Sequence, residues 1–366
     1  MPALDAVAQR DLPEALARLL GRPLAGWERL GEGRNSRVYR VRGDDGHPYL
    51  AKRYVRPAPP WGGGHHGMEA RDRLAVEFSA LQFLWRHGVR DIPRPIAMDG
   101  AARWALYEFV EGTPASAGEV TAADINAAVD FLEALRNLAR EPASRQCPIA
   151  AEACFSLQAI LDQLQERMDR FPPDDGGEPH LRALHRFLRE AFLPAWRTIR
   201  VWCLAQAERL GVSPARELRG EERTLSPSDF GFHNAIRRPD GRLVFVDFEH
   251  FGWDDPAKMI ADVLLHPAMA LSDALKRRFV TRCLERVDGR DALARRLEVV
   301  YPLWGLKWCL ILLNEFVPQD LVRRTFAQRD ARAREDLHAE QLAKAQRMLE
   351  RITREHAHFP YGNDCA

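Results

Sequence analysis

Leu225-Ser226-Pro227-Ser228-Asp229-Phe230-Gly231-Phe232-His233-Asn234-Ala235-Ile236 runs straight into Arg237-Arg238-Pro239-Asp240-Gly241-Arg242-Leu243-Val244-Phe245-Val246-Asp247-Phe248-Glu249. Pro239-Asp240-Gly241 between two β-like runs is a three-residue hairpin signal, with Gly241 in the left-handed position that ends a type I turn. Folding about that turn brings Asn234 and Asp247 to one end of the ribbon, and Asp229 stands five residues before Asn234 across a short loop. Two carboxylates and an amide at one end of a hairpin suit phosphoryl transfer, where a hydroxyl must be positioned and Mg2+ held against phosphates. In that reading Asp229 orients the attacking hydroxyl or accepts its proton, and Asn234 and Asp247 hold the metal. A single Asp here would read as a turn cap or a strand end, since Asp is common in turns. Three such residues at this spacing favour the chemistry.

The D-x-x-x-x-N arrangement, followed by a hairpin and an apolar strand ending in Asp247, resembles the catalytic loop and metal-binding Asp of the aminoglycoside phosphotransferase and choline kinase group of the protein-kinase-like superfamily. Val246-Asp247-Phe248-Glu249 is similar to the choline kinase and aminoglycoside kinase wording. The resemblance implies an α+β, two-lobed protein-kinase-like fold, with a small antiparallel β-sheet and one main helix in the first lobe and a larger, mainly helical second lobe. It also implies ATP and Mg2+ as cofactors. One position departs from the family. Where relatives carry His two residues before the catalytic Asp, this chain has Pro227, which bears on loop geometry more than on the reaction.

Working outward, the kinase-like reading requires a phosphate-anchoring Lys on a middle strand of the first lobe and a helix Glu paired with it. Lys52, in Tyr49-Leu50-Ala51-Lys52, resembles that Lys; read locally, an exposed strand Lys beside Arg53 fits equally. Glu77 falls on the core-facing side of a helix carrying Leu74, Phe78, Leu81 and Leu84, where a carboxylate needs a partner, or else it lies solvated at the margin of the stripe. Leu30-Gly31-Glu32-Gly33-Arg34-Asn35-Ser36 resembles the glycine-rich phosphate loop, with Ser36 for its third Gly, so Gly31, Gly33 and Ser36 are expected at the nucleotide. Alone, it would be an ordinary hairpin turn. No G-x-x-x-x-G-K-[ST] occurs, which argues against a P-loop kinase. In Leu106-Tyr107-Glu108-Phe109-Val110-Glu111-Gly112, where the lobes would join, the resemblance assigns adenine to the backbone of Glu108 and Val110; a strand entering a linker is the plainer reading.

The text from Trp27 to Val55 reads as short strands broken by turns, Pro57 to Gly67 as loop, Ala70 to His87 as a helix and Trp104 to Val110 as a strand. A first helix begins at Asp11, and later ones are expected at Ala122–Arg140, Ser156–Phe171, His180–Leu210, Pro256–His266, Leu271–Val287, Asp291–Glu315 and Arg329–Glu355. This places a nucleotide-binding lobe over 1–111 and a helical lobe with the catalytic loop and acceptor site over 112–366. Asp255 reads as N-cap before Pro256, and the resemblance gives Asp262 the task of bracing the catalytic loop's backbone. Few residues separate Asp247 from that helix, so there is no room for a protein kinase's activation loop and a small acceptor is favoured.

With 53 basic and 52 acidic residues the chain has no net field to draw in nucleic acid or anionic lipid, and neither is expected as a partner. Six scattered cysteines, no signal-like start and no long apolar run suit a reducing cytoplasm. His65-His66 reads as a solvated pair in a lid rather than a zinc site. The expected reaction moves the γ-phosphoryl of ATP to a hydroxyl of a small polar metabolite: a sugar, amino sugar, aminoglycoside or amino-alcohol. Trp304, Trp308 and Glu315 would suit a cationic acceptor, or else pack in the core. The competing readings are a non-catalytic nucleotide-binding scaffold and a protein-modifying kinase.

Overall fold

Alternation along one strand sets the geometry of the amino-terminal part. In the computed structural model, which describes residues 12–32, 36–56, 71–173, 178–317 and 334–362, strand β3 (Pro48–Tyr54) turns Tyr49 and Ala51 to one face and Leu50 and Tyr54 to the other. Tyr49 and Ala51 pack with Tyr39, Val41, Trp104 and Leu106 beneath helix α1 (Leu12–Leu20), which contributes Ala15 and Leu16. The opposite face, where the period of two puts Lys52, meets helix α2 (Arg73–Arg86). The sheet is five-stranded and antiparallel in the order β1-β2-β3-β5-β4, with β1 Leu24–Glu32, β2 Ser36–Gly43, β4 Pro95–Asp99 and β5 Trp104–Glu108. Lys52 lies in its middle strand, opposite Val38 on one side and Ala105 on the other. Helix α2 is capped by Asp72, whose side chain accepts from Ala75 N–H, and buries Leu74, Glu77, Phe78, Leu81 and Leu84.

The rest is mainly helical. Helices α3 (Ala122–Ala139), α4 (Leu157–Asp169), α5 (Pro179–Phe187) and α6 (Leu193–Arg209) precede the short strands β7 (Thr224–Ser226), β8 (Ala235–Arg237), β9 (Leu243–Phe245) and β10 (Gly252–Asp254). Helices α7 (Pro256–Leu265), α8 (Asp273–Glu285), α9 (Arg290–Leu312) and α10 (Arg334–Glu355) follow. The expected hairpin is β8–β9, closed by Gly241 at φ +86° with its N–H on Arg238 O. Its base is held by long-range contacts. β6 (Thr113–Pro114) pairs with β8, Phe245 N–H donates to Asp91 O after α2, and Arg237 forks onto Asp124 at 2.7 and 3.0 Å. Asp124 is itself in the capping box that starts α3.

Several boundaries differ from expectation. The single helix over His180–Leu210 is broken by a wide turn at Leu188–Phe192, because Pro194 has no N–H to return to the preceding turn. The late helix stops at Leu312 and tightens into a short turn at Asn314–Phe316. β4 was not expected, since Pro95 reads as a breaker; it sits at the sheet edge, where a missing N–H is tolerated. The pairing of β7 with β10 was likewise unexpected. The loop Pro57–Gly67, with His65-His66, lies outside the described residues, as do Asp11 and Arg329. The five described cysteines are free thiols, and no described helix is long and apolar enough to cross a membrane.

Gly112 shows how tightly the sheet part meets the hairpin. Its φ is +153° and a Cβ there would collide with the backbone oxygen of Arg237, whereas a Cβ at Gly100 would meet nothing within 4 Å. Gly112→Ala should therefore lower stability by about 2–4 kcal/mol, while Gly100→Ala leaves it nearly unchanged, as read by denaturant unfolding.

Candidate functional site

Burying Phe230 and Phe248, the residues that follow Asp229 and Asp247, brings the two acids together. Both rings close on Phe131 of α3, with centroids 5.8 and 6.3 Å away, and Phe245 joins them at 4.6 Å. Asn234 stands at the entry to β8, where its backbone oxygen accepts from Val246 N–H and its side-chain Nδ2 donates to Asp229 O at 2.8 Å. The other prong of that amide is an oxygen, the donor type a hard cation takes. Asp247 sits at φ +70°, a left-handed conformation that Asp tolerates better than most residues.

From the sheet side, Lys52 Nζ lies 2.7 Å from Glu77 Oε1 and 3.3 Å from Asp247 Oδ1. Glu77 Oε2 accepts from Tyr54 Oη at 2.6 Å, and that hydroxyl is 2.9 Å from Tyr107 Oη. Burial opposes charge on Lys52, but Glu77 and Asp247 outweigh it and raise its pKa above the ordinary lysine value, so the ammonium persists. Burial also raises the pKa of Glu77 and of Asp247, against the pull of Lys52.

Asp229 has different neighbours. Its side chain is 39% exposed, with His233 Nε2 3.1 Å and His266 Nε2 3.7 Å from Oδ1. Burial pushes its pKa up, yet the hydrogen bond from His233 and the charges of His233, His266 and His250 prevail and hold it well below the carboxylate range. Ser228, immediately before it, is left-handed at φ +68°. Ser228 N–H donates to Ser226 Oγ, and Ser228 Oγ donates to Ala151 O and lies 3.1 Å from Lys258 Nζ.

Lys258 is the residue that local reading missed. It is buried in α7 between Asp254 at 2.8 Å and Asp262 at 3.1 Å, and the two acids lift its pKa despite burial. Asp262 also accepts from Trp308 Nε1 at 2.9 Å, and Trp308 meets His266 edge to face at 4.7 Å. Contact with the loop therefore runs through Lys258 to Ser228, and the described partners of Asp262 are Lys258 and Trp308 rather than loop backbone. The spacing Asp254, Lys258, Asp262, four apart along an otherwise apolar helix, was the available signal. Trp304 is fully buried, with Lys307 Nζ 4.4 Å over its ring, so it belongs to the core; Glu315 is buried as well.

The remaining expected nucleotide residues are placed as follows. Gly31 pairs with Val38 and Ser36 with Tyr54 at the β1–β2 turn, while Gly33 lies outside the described residues. Glu108 uses its N–H on Arg94 O and its carboxylate on Arg238 at 2.7 Å, and Val110 is buried. Two further contacts join α2 to the segment after Asp247. Arg71 donates to Ile149 O and Phe251 O, and Arg73 Nη1 lies 3.0 Å from Glu249.

The profile of the phosphotransferase enzyme family matches residues 26–294. Among curated proteins none matches by sequence. Among solved structures the chain is similar to a spectinomycin phosphotransferase in complex with ADP and spectinomycin, at TM-score 0.63 and 12% identity, covering 94% of this chain and 98% of that one. It is similar to a choline kinase from Streptococcus pneumoniae, at TM-score 0.55 and 13% identity, covering 94% and 99%. An ethanolamine kinase from Plasmodium vivax gives TM-score 0.55 and 14% identity, covering 90% and 83%. At these identities the likeness is one of fold, and the fold is the two-lobed, protein-kinase-like one.

Two measurements follow from the ion pairs. Lys52→Met strands the buried Glu77 carboxylate and should destabilise the protein by about 3 kcal/mol, with Lys52→Met/Glu77→Gln recovering a large part of that loss in denaturant titrations. Glu249 is buried; burial raises its pKa, but His250 and Arg73 overcome this and lower it from 4.5 to about 2. A depressed carboxylate stabilises the fold above its unfolded pKa and ceases to do so as pH falls through the folded one. Glu249→Gln should therefore cost about 3 kcal/mol near neutral pH, and the gap to wild type should close as pH drops from 4.5 towards 2.

Proposed function

The chain belongs to the phosphotransferase enzyme family, and on that premise we propose that it transfers the γ-phosphoryl group of ATP to a hydroxyl of a small polar metabolite. The carrying observation is the convergence of Lys52, paired with Glu77, on Asp247 at 3.3 Å, at the end of the hairpin that Asn234 and Asp229 share. In this reading Lys52 meets the phosphates as a fixed positive charge. Glu77, itself bonded by Tyr54, holds it extended from β3, and Gly31, Gly33 and Ser36 are the glycine-loop residues assigned to the nucleotide. The backbone of Glu108 and Val110 faces adenine, and the two functional parts divide near Glu111-Gly112.

Asp247 and the Asn234 amide oxygen are hard oxygen donors of the type Mg2+ takes, and they would hold it. When bound, the ion supplies positive charge against the phosphate oxygens. The protein's own contribution is positioning. Asp229 receives the acceptor hydroxyl and takes its proton as the oxygen–phosphorus bond forms; the bond from phosphorus to the β–γ bridging oxygen breaks, and ADP departs. Only a short loop and β10 lie between Asp247 and α7, which supports a small acceptor over a protein.

Mg·ATP turnover against a panel of sugars, amino sugars, aminoglycosides and amino-alcohols tests the reading. Asp229→Ala should lower turnover about 10²–10⁴-fold and leave ATP binding by calorimetry intact. Binding with no turnover on any acceptor, unaltered by Asp229→Ala in cells, would make the chain a nucleotide-binding scaffold. Phosphate appearing on a co-purified protein would make it a protein-modifying kinase.

A further inference from the structure

Two imidazoles lie beside the same oxygen of Asp229, and one is hydrogen-bonded to it. His233 Nε2 is 3.1 Å and His266 Nε2 3.7 Å from Oδ1, and the rings stack with centroids 3.9 Å apart and planes 3° apart. A carboxylate and two imidazoles with ligand atoms this close have the composition of a zinc site. The hydrogen bonds assign the protons otherwise. Ala268 N–H donates to His266 Nδ1 at 3.2 Å, so a neutral His266 carries its proton on Nε2. His233 Nδ1 is buried with no hydrogen-bond partner among the described residues, while its Nε2 faces the carboxylate; its proton belongs on Nε2 too. Parallel rings also direct their in-plane lone pairs side by side rather than onto one point. The His233 nitrogen is therefore a donor to Oδ1, and His266, at 3.7 Å and stacked parallel, supports that ring rather than sharing the bond.

We propose that His233 is a positioning residue whose Nε2–H commits Oδ1 of Asp229 and leaves Oδ2 to face the acceptor hydroxyl, while His266, stacked flat on it, holds the His233 ring in place. The inference rests on the phosphotransfer reading above. Its structural support is specific. A Cβ on Gly231 would come within 2.7 Å of His233 Nδ1 and 2.6 Å of Met269 Sδ, so only glycine lets the His233 ring occupy its place. Behind His266 stand Trp308, Asp262 and Lys258, and Lys258 returns to Ser228, the residue before Asp229. The loop that carries Asp229 and the rings that face it thus belong to one closed set of contacts. Phosphoryl transfer depends on holding the hydroxyl in line, and a carboxylate with one oxygen already engaged offers the hydroxyl a single direction.

Because the acceptor is unidentified, the probe is hydrolysis of Mg·ATP by the full chain, with water in the hydroxyl's place. His233→Ala should lower kcat roughly ten- to a hundredfold and leave the KM for ATP within about twofold. His233→Gln, whose amide Nε2 reaches the same oxygen, should restore most of the rate. In an Asp229→Ala background, His233→Ala should cost nothing further, because no carboxylate remains to orient. A wild-type kcat in His233→Ala, a glutamine variant no better than alanine, or the same fractional loss with and without Asp229 would overturn the proposal. Should His233→Ala not fold, His233→Leu against His233→Gln gives the same contrast of bulk without and with a donor. A wild-type protein with no turnover on water or on any acceptor would overturn the phosphotransfer reading and this inference with it. Turnover indifferent to His233 would overturn the inference alone.

Discussion

One ammonium group joins the halves of the site. Lys52 Nζ contacts Glu77 on α2 and Asp247 at the end of the hairpin, so a strand, a helix and the hairpin's end share one buried charge. Removing a lysine and a glutamate from water is costly, and Coulomb attraction offsets that cost only when the geometry is close and the remaining lone pairs are satisfied. Here Tyr54 and Tyr107 complete the shell around Glu77. The consequence is positional: α2 cannot shift along the sheet without breaking a contact that nothing else in the apolar surroundings replaces. Arg71 and Arg73 reinforce it by tying the start of the same helix to Phe251 and Glu249.

The hairpin meets a second constraint. Residues on both sides of the turn carry strained backbones, Ser228 at φ +68° and Asp247 at φ +70°, and such conformations persist only where their surroundings over-determine them. At Ser228 that role falls to Ser226 Oγ, Ala151 O and Lys258; at Asp247 it falls to Phe248, sunk against Phe131, and to Lys52. Pro227 is compatible with this arrangement because the loop is held by the serines beside it and by a buried lysine from α7.

The parts legible in the sequence were those with a local cause. Gly241 announced its turn, the stripe Leu74, Phe78, Leu81, Leu84 placed Glu77 inward, and Asp255-Pro256 marked the start of α7. What escaped depends on partners far away in the chain. The pairing of β7 with β10 joins residues 224–226 to 252–254 through backbone alone, and β4 finds its place only once β5 lies beside it. Asp262 was placed on the right helix with the wrong partner, because its work is divided between Lys258 and a tryptophan from α9. His233 carries no local signal for its role. Its orientation toward Asp229 is fixed by Gly231 beneath it and His266 beside it, and the latter belongs to a different element.

A site for phosphoryl transfer has to keep two carboxylates ionised next to a highly charged nucleotide, and like charges at close quarters raise each other's pKa. The pKa of Asp247 is raised by burial first, then by Glu249 and Asp229, with Lys52 pulling it down. The structure handles this by giving each acid its own partners. Asp247 shares Lys52 with Glu77, whereas Asp229 faces imidazoles and never touches that lysine among the described contacts. Under the proposed function this division also separates the tasks, because the group assigned to the phosphates and the group assigned to the acceptor can each be tuned without disturbing the other. On that same proposal, variation in the acceptor would act through α7, α9 and the residues around His266, while the Lys52 side would stay fixed by the shared phosphoryl donor.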